Sequence, residues 1–564
     1  MNRNTKSFDN NAINLDIKRS TFNRNSSVKL SFNAGDVVPF YVDEVLPGDT
    51  FNINTSKVVR LQTLLTPLMD NIYLDTYFFY VPNRIIWEHW KNFNGENTAS
   101  AWIPQTEYEV PQITAPLAIA ADGDDPGHPG GWDVGTIADY MGIPTGVPGL
   151  SVNALPFRAY AKIIDEWFRD QNLQQPLNIP VNDTTLTGVN TDQFVTDVVK
   201  GGKPFIASKY RDYFTSCLPA PQKGPDVGIG LSGDIDVFGT GKTLSLTATQ
   251  TVGAGIVTFD ASGTPKIFRS VYDKDTGTVS PSGYIPTSQA LGVPTKTSGL
   301  ETGLIADLST ASAISINALR LAFQIQKLYE KDARGGSRYI EIIKAHFGVT
   351  SPDARQQRPE YLGGNRIPIN INQVVQMSET GTTPMGDTAG LSVTADSNSD
   401  FTKSFTEHGY IIGLMVARYD HTYQQGLERL WSRKDRFDFY WPALANIGEQ
   451  AVKNKEIYAD GSAKDDEVFG YQEAWADYRY KPSRVAGEMR STYATSLDVW
   501  HLGDDYEELP KLSDGWIRED KDTIDRVLAV QSSVSNQFFA DIYVMNKTTR
   551  PMPMHSIPGL IDHH

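Results

Sequence analysis

A β-dominated fold, one sandwich of facing sheets interrupted by long insertions that carry a few α-helices, is what the sequence predicts, and three observations predict it. Gly (46), Pro (32), Tyr and Phe (25 each) are plentiful among 564 residues, the mixture of a chain that makes many strands and turns. Runs with a two-residue apolar period stand near the beginning and again near the end. Hundreds of residues separate the first of them from the last, which is how sandwiches with Greek-key wiring join distant segments. Apolar residues make up 40% of the chain, enough to bury a substantial core. The length exceeds what one core usually needs, so several domains or one core with long insertions must be present, and the strand spacing favours the second.

The elements follow in order. From Asp36 to Val81 the text alternates: Val38, Phe40 and Val42 first, then Ile72, Leu74, Thr76, Phe78 and Tyr80 on one face of a second strand with Tyr73, Tyr77 and Phe79 on the other. Both faces of that second strand need cover. A helix is predicted from about Pro156, a residue suited to an opening turn, with Phe157, Tyr160, Ala161, Ile164, Trp167 and Phe168 along one stripe. Between Gly224 and Thr310 the composition shifts to Gly, Thr, Ser and Val with few charges, and short alternating pieces such as Thr243 to Thr247 stand between glycines, so this reads as a separate β-rich excursion. A second helix, about Ser315 to Lys331, aligns Ala318, Leu321, Ile325 and Leu328 and stops before Gly335 and Gly336. Both helical stripes predict core packing. Ser378 to Ser399 is poor in large apolar residues and reads as an exposed loop. Strands return at Tyr410 to Tyr419 and at Phe538 to Met545, and no internal repeat of fixed period is present.

The formal net charge of −16 argues against a whole-surface attraction to nucleic acid or anionic lipid, so any such contact must be local. The first thirty residues are the exception: Arg3, Lys6, Lys18, Arg19, Arg24 and Lys29 stand there against Asp9 and Asp16. This basic arm reads either as a solvated polar terminus or as a local phosphate contact. The single cysteine, Cys217, excludes an intrachain disulfide and a Cys-rich metal site, and points to folding in a reducing cytoplasm. No apolar segment follows the terminal Met1 to Lys6, so no secretion signal is expected, and no apolar run reaches the roughly 18 residues of a membrane span.

Candidate chemistry is sparse. Gly239 to Thr243 imitates the end of a phosphate-binding loop, whose amides and lysine would hold nucleotide phosphates at a helix start. Asp236 falls where that motif's first glycine belongs, and the text that follows alternates as a strand, so a hairpin turn is the better reading. The nine histidines show neither the HExxH pattern nor a Cys/His spacing. His408 beside Glu407 and His421 beside Asp420 flank a strong strand, where structural hydrogen bonding outweighs acid-base work. Cys217 has no motif naming a base partner. Asp122 to Asp125 resembles a calcium-loop fragment but lacks the distal glutamate of an EF-hand. Paired carboxylates of a glycosidase type are neither asserted nor excluded by 67 acidic residues. The terminal His563 and His564 carry no pattern of their own.

Four segments do more than composition can. Lys203 to Gly224 (KPFIASKYRDYFTSCLPAPQKG), Leu155 to Tyr160 with Trp167 to Leu173, Asp332 to Glu341 running through His346 to Arg355 and Arg358 to Tyr361, and Phe469 to Ser483 are similar to signatures of microvirus major capsid proteins and stand along the chain in that family's order. Together they span most of the chain from about residue 20 onward, and the branch they resemble is that of the gokushoviruses. Gly224 to Thr310 is where the residues depart from the family.

The resemblance implies an eight-stranded viral jelly roll with long loop insertions and a few helices, assembled as a T=1 icosahedral shell around a circular single-stranded DNA genome. It divides the chain into a basic arm (1–30), the first part of the jelly-roll core with a helical insertion (31–223), a variable insertion forming a threefold protrusion (224–310) and the rest of the core (311–564). Copies of the chain itself, the genome, an internal scaffolding protein, a DNA pilot protein and a host surface receptor are the implied partners, in a virion assembled in the bacterial cytoplasm, with the exposed insertion meeting the host. In that setting the arm's Arg3, Lys6, Lys18, Arg19, Arg24 and Lys29 would contact DNA, without reading its sequence. Tyr471, Trp475, Tyr478, Tyr480 and Pro482 suit intersubunit contacts, where aromatics are enriched, or else ordinary core. Neither catalytic residues nor a cofactor nor a metal is implied. The rival from another class is a β-sandwich carbohydrate-binding or glycan-cleaving protein, for which a secretion signal would be expected.

Overall fold

The computed structural model describes residues 18–96, 107–120, 127–225, 227, 316–378 and 385–555, together with the backbone of eight short strands between 237 and 306. Two units are present: one of Met1–Gly224 with Tyr329–His564, the other of Pro225–Leu328.

The larger unit is built on two antiparallel sheets. One contains β1 (Ser20–Asn23), β2 (Ser26–Phe32), β4 (Thr50–Leu61), β7 (Thr394–Ser404) and β9 (Phe538–Arg550), with β9 at its centre pairing β1, β2 and β4, and β7 on the far side of β4. The other has the order β6 (Glu360–Pro368), β5 (Ile72–Pro82), β8 (Gly409–Tyr419), β3 (Val38–Val45). The alternation of β4 is that of a strand with one covered face, its odd-numbered Phe51, Ile53 and Val59 fully buried. They meet Phe32, Phe78, Ile411, Met415 and Ile542 in one core between the sheets. Ring contacts hold its centre: Phe78 stands 5.5 Å from both Phe40 and Phe401, and Phe32 stacks on Phe538 at 5.3 Å.

β5 and β8 are covered on both faces, as their near-continuous apolar text requires. Phe79, Val81, Ile412, Leu414 and Val416 turn away from the sandwich into a second core, where they meet Trp132, Phe157, Tyr160, Ile163 and Phe205. That cover includes α1 (Leu155–Ile163), with Pro156 in its first turn and a single π-helical turn, Ile164–Phe168, continuing it. The first predicted stripe is therefore core, save that Trp167 at its end is part-exposed. A third cluster joins Tyr213, Phe214 and Cys217 to Tyr423, Val452, Ile457 and Phe469.

Three expectations are corrected. The helix predicted from Ser315 is α2 (Ile316–Gly335), but Leu321 and Leu328 of its stripe are exposed rather than packed in core. Periodicity specifies an apolar face and says nothing about what covers it. The stretch read as a loop from Ser378 holds the strand Thr388–Ser392, paired with Ile371–Val375, and most of β7 up to Ser399. Ser, Thr, Asn and Asp fill those strands and still complete the backbone ladder, with Ser392 and Thr394 buried. Of the basic arm (1–30), Ser20–Asn23 is a strand of the first sheet, and the arm runs from Ser26 into a second one, Ser26–Phe32.

Glycine is required by close approach at one point in β6. A Cβ on Gly364 would lie 2.0 Å from the carbonyl oxygen of Thr76, beside a bulge between Tyr361 and Gly363.

Among the described residues the smaller unit holds four antiparallel strand pairs, including Thr247–Gln250 with Gln289–Gly292 and Val237–Gly239 with Leu304–Ala306. Thr240 to Thr243 and most of Gly224 to Thr310 lie outside the described residues, as do Asp122 to Asp125, His563 and His564. Among the described residues no helix is long and apolar enough to cross a membrane.

Candidate functional site

A cleft of about 1030 Å³ lies over the face of β5, β6 and β8 that points away from the sandwich. Tyr77 and Phe79 of β5, Tyr361 of β6 and Arg418 of β8 form its floor, and Trp167 and Phe168 a wall. Segments carrying the family resemblance converge on it: Trp167–Leu173, Lys203–Gly224 and Asp332–Glu341 all contribute lining residues. Phe469–Ser483 reaches its edge, because Leu218 and Tyr471 exchange two backbone hydrogen bonds of 2.8 Å and Gln472 accepts one of 2.7 Å from Arg334.

Seven lining side chains are cations and one, Glu341, is a carboxylate. The cations are held from behind. Arg169 donates to Asp165 at 2.7 Å, Arg211 to Asp170, and Arg334 to Glu449. Arg338 donates to the backbone oxygen of Asp165 at 2.5 Å and has Glu166 at 3.5 Å. Lys209 lies 3.7 Å from Asp504 and 4.9 Å from the ring of Trp516. Lys344 makes no ion pair among the described residues, and the Arg211 side chain is about half exposed at 54%. Lys344, and the outer half of Arg211 beyond its bond to Asp170, are the cations most open to a ligand.

Beneath the floor, the buried Asp75 carboxylate accepts from Arg366 at 2.7 Å, Arg418 at 2.6 Å and the Tyr210 hydroxyl at 2.8 Å. Burial alone would raise its pKa, but those donors and the two positive charges bring it below the ordinary carboxylate value. Tyr210 is sandwiched between the guanidinium groups of Arg366 and Arg418, at 4.2 and 4.3 Å from its ring centre. The cleft floor is thus aromatic and cationic. Chemically it can take a phosphate on its rim and a planar ring against its aromatic wall.

The groups that could react are instead tied up. Burial pushes the Cys217 thiol well above its usual value, so it stays protonated and inert. His421 is enclosed between Asp504, 2.8 Å from Nδ1, and Glu519, 2.9 Å from Nε2. Burial would lower its pKa, and the two carboxylates overrule that and lift it to about 10. It is a fixed cation in an ion-pair network, not a proton shuttle. His408 sits edge-on to Trp90 at 5.4 Å. Among the described residues no cluster of three His, Cys, Asp or Glu side chains has the arrangement of a metal site.

The residues predicted from sequence are dispersed. Arg3 and Lys6 lie outside the described residues, and Lys18 and Arg19 are exposed ahead of β1. Arg24 is committed within the fold, donating twice to Asp43 at 2.7 Å, while Asp43 also accepts from Tyr41 at 2.7 Å. Lys29 pairs loosely with Asp541 at 3.6 Å. Trp475 is buried with φ of 63° and donates its indole N–H to Leu444 at 2.8 Å. Tyr478 is exposed under Arg433, whose guanidinium stands 4.2 Å from its ring. Tyr480 stacks on Tyr213 at 5.1 Å, and with Pro482 it lines a second pocket of about 250 Å³ that also includes Trp431.

Sequence reasoning missed the cleft, although Arg169, Arg211, Arg334 and Arg338 all stand inside the segments singled out. Arginines gathered in such segments were the available signal. It also passed over Leu427–Ile447, in which Trp431, Phe437, Phe439, Tyr440 and Trp441 are all exposed. Aromatics interleaved with Arg, Lys and Asp without a helix or strand period were the signal there.

A mostly antiparallel β subunit whose Cys217 and His421 are shut in, and whose openings are lined by rings and cations, fits the class of structural proteins that work through surfaces. The chain belongs to the microvirus capsid protein family: the family described as capsid protein (F protein) matches residues 12–560. It is similar to the capsid protein VP1 of Spiroplasma virus 4, 43% identical over 541 residues that cover 94% of this chain and 93% of that one. Similar too are capsid protein VP1 of Chlamydia phage 1, 40% identical over 592 positions with 96% of each chain covered, and that of Bdellovibrio phage phiMH2K, 41% identical over 553 with 96% and 95% covered. These relatives belong to the gokushovirus branch. The protein is accordingly a non-enzymatic component of the virion capsid, built to form a shell of like copies.

Proposed function

We propose that the chain is the jelly-roll subunit of a T=1 icosahedral shell that encloses a circular single-stranded DNA genome. The observation that carries the fold is the strand order. One sheet reads β2–β9–β4–β7 and the other β6–β5–β8–β3, so that strands successive in sequence alternate between sheets except at β5 and β6. That is the wiring of two interlocked Greek keys, eight strands in all with β1 an extension of the edge. The long excursions fall between β5 and β6 and between β8 and β9, outside the sandwich.

Contact with DNA is assigned to the amino-terminal arm through Lys18 and Arg19 with Arg3 and Lys6, and to the basic cleft through Lys344 and Arg211. Arg24 and Lys29 contribute to the sheet, and Arg24 is spoken for by Asp43. The fact that Pro225–Leu328 forms a unit of its own supports its reading as the protrusion that meets the host. An internal scaffolding protein, a DNA pilot protein and a host surface receptor complete the partners of such a shell.

Electron microscopy of the full chain, made alongside the other viral structural proteins, tests the shell: uniform small particles are expected, and dispersed monomers would overturn it. Single-strand binding by the full chain tests the cleft. Affinity should fall with salt by roughly 0.7 log units per log unit of salt for each phosphate contacted. Lys344→Glu should weaken binding several-fold and flatten that slope; an unchanged affinity and slope would remove the cleft from the DNA contact.

A further inference from the structure

We infer that the aromatic segment from Leu427 to Ile447 is a docking surface for a second copy of this chain. The inference rests on the shell reading and names one of the contacts that the shell would use. The segment lies in the long connection between β8 and β9, beyond the sandwich. Trp431 is 70% exposed and Phe437 71%, and Phe439, Tyr440, Trp441 and Tyr478 stand open around them. Isolated exposed apolar residues are ordinary on a monomer, but this is a run of rings in one short stretch.

Its geometry is prepared without a partner. Asp435 and Asp438 close a short 3₁₀ turn, with Asp438 accepting from the backbone N–H groups of Lys434 at 2.7 Å and Asp435 at 2.8 Å. Trp441 donates its indole N–H to the backbone oxygen of Arg436 at 3.0 Å and lies under that residue's guanidinium at 5.0 Å. Tyr440 meets the buried Trp475 edge-on at 5.7 Å, and Tyr478 lies 6.1 Å from Tyr440. A loop meant only for solvent gains nothing from holding its rings in place. A contact gains affinity, because less side-chain entropy is lost when partners meet.

Area and residue type identify the occupant as protein. Six aromatic side chains about half open offer on the order of 600 Å². A standard protein interface takes about 800 Å² from each partner, with Trp, Tyr and Arg as its energetic anchors. A small ligand could not cover this surface. In a particle built from like copies, the partner present at every subunit is another copy. The pocket of about 250 Å³ bounded by Trp431, Tyr480 and Pro482 lies next to the segment and has room for one inserted ring of the neighbour.

The test compares full chains. Phe437→Asp combined with Trp431→Asp is set against Val534→Asp, an equally open apolar position (81% exposed) outside the patch. Subunit folding is followed by circular dichroism and assembly by sedimentation and electron microscopy, with the other viral structural proteins present. The patch variant should melt as the parent does and yield no particles, while Val534→Asp assembles. Particles formed in normal yield by the patch variant overturn the inference alone. A parent chain that forms no particle overturns the shell reading and this inference with it. Hydroxyl-radical footprinting needs no variant: Trp431 and Phe437 should be oxidised in the free chain and at least five-fold protected in the particle. Equal oxidation in both states, or protection only where a different viral protein is bound, would refute the contact between copies.

Discussion

In β5, Tyr73, Tyr77, Phe78, Phe79 and Tyr80 fill five of eleven positions, and between Leu427 and Ile447 stand five rings again, Trp431, Phe437, Phe439, Tyr440 and Trp441. The first set disappears into the molecule: Phe78 is fully buried between the sheets and Phe79 is buried in the second core. The second set stays in solvent. Aromatic content is common to both, so it does not decide burial. What separates them is period. β5 carries a two-residue alternation that fits a pleated strand with a sheet on either side, whereas the later segment has short 3₁₀ turns at Arg429–Ser432, Arg436–Asp438 and Pro442–Leu444 and no lasting face. In β5 the regular face meets a sheet or helix of the same chain and the rings are covered; between Leu427 and Ile447 no element of the chain closes over them.

The same change, ring to methyl, should have unequal consequences in the two places. Phe78→Ala removes a ring that touches Phe40, Tyr41 and Phe401, and should lower the unfolding free energy of the dissociated subunit by about 3–5 kcal/mol. Phe437→Ala should change it by less than about 0.5 kcal/mol. Urea unfolding followed by tryptophan fluorescence measures both. Equal losses would mean that the exposed segment is packed in the free chain after all.

How far the text could be read follows the same division. β5, β8 and β9 were legible because strong alternation, or an unbroken apolar run, leaves few alternatives. β9 runs to Arg550, beyond the predicted Met545, because Asn546 and Thr548 continue the buried face with polar side chains. Asn546 does so by donating to the Tyr41 hydroxyl at 2.7 Å. β6 was hidden by Gly363, Gly364 and Pro368, residues that ordinarily punctuate a chain. They are tolerated there because β6 is at the sheet edge and the glycines permit a close approach to Thr76. The exposed stripe of α2 was misplaced because amphipathicity marks a face without its partner. The cleft brings together residues up to about 340 positions apart, such as Tyr77 and Arg418, joined at 3.1 Å. No local pattern announces such a meeting; the resemblance named its segments, and only the fold showed that they converge.

His421 is as enclosed as Phe78 but is held by electrostatics. Its side chain is 1% exposed, with Asp504 and Glu519 on either side. Replacing it with Gln leaves two buried carboxylates short of one cation, which should cost about 3 kcal/mol at neutral pH. The pH dependence has a definite sign. His421 keeps its proton in the folded state up to about pH 10, against 6.5 in the unfolded chain, so its contribution is complete below 6.5 and fades as pH rises toward 10. Burial would raise the Asp504 carboxyl, but His421 and Lys209 force it below the ordinary value of 3.8, so its contribution is complete above 3.8 and is lost on further acidification. Unfolding free energy should therefore be highest between those limits and decline on both sides. His421→Gln should flatten the alkaline decline between pH 6.5 and 10. A variant that keeps the parent's full alkaline slope would show that the network is not its source.

The smallest effects test whether burial, and not charge, sets the scale within a single sheet edge. Arg24 and Lys29 lie five residues apart in the basic arm, and each has an aspartate partner. Asp43 is 9% exposed and is shared by Arg24, Tyr41 and Asn546, so Arg24→Ala leaves a carboxylate in a part-buried site with fewer donors and should cost about 1–2 kcal/mol. Lys29 and Asp541 are 73% and 53% exposed at 3.6 Å, where water screens the pair and two mobile side chains resist being fixed. Lys29→Ala should cost less than about 0.5 kcal/mol in urea unfolding, and less still as salt is added. If Lys29 proved the costlier of the two, charge pairing would dominate over burial at this edge, and the distinction drawn between rings inside and rings outside would need a different cause.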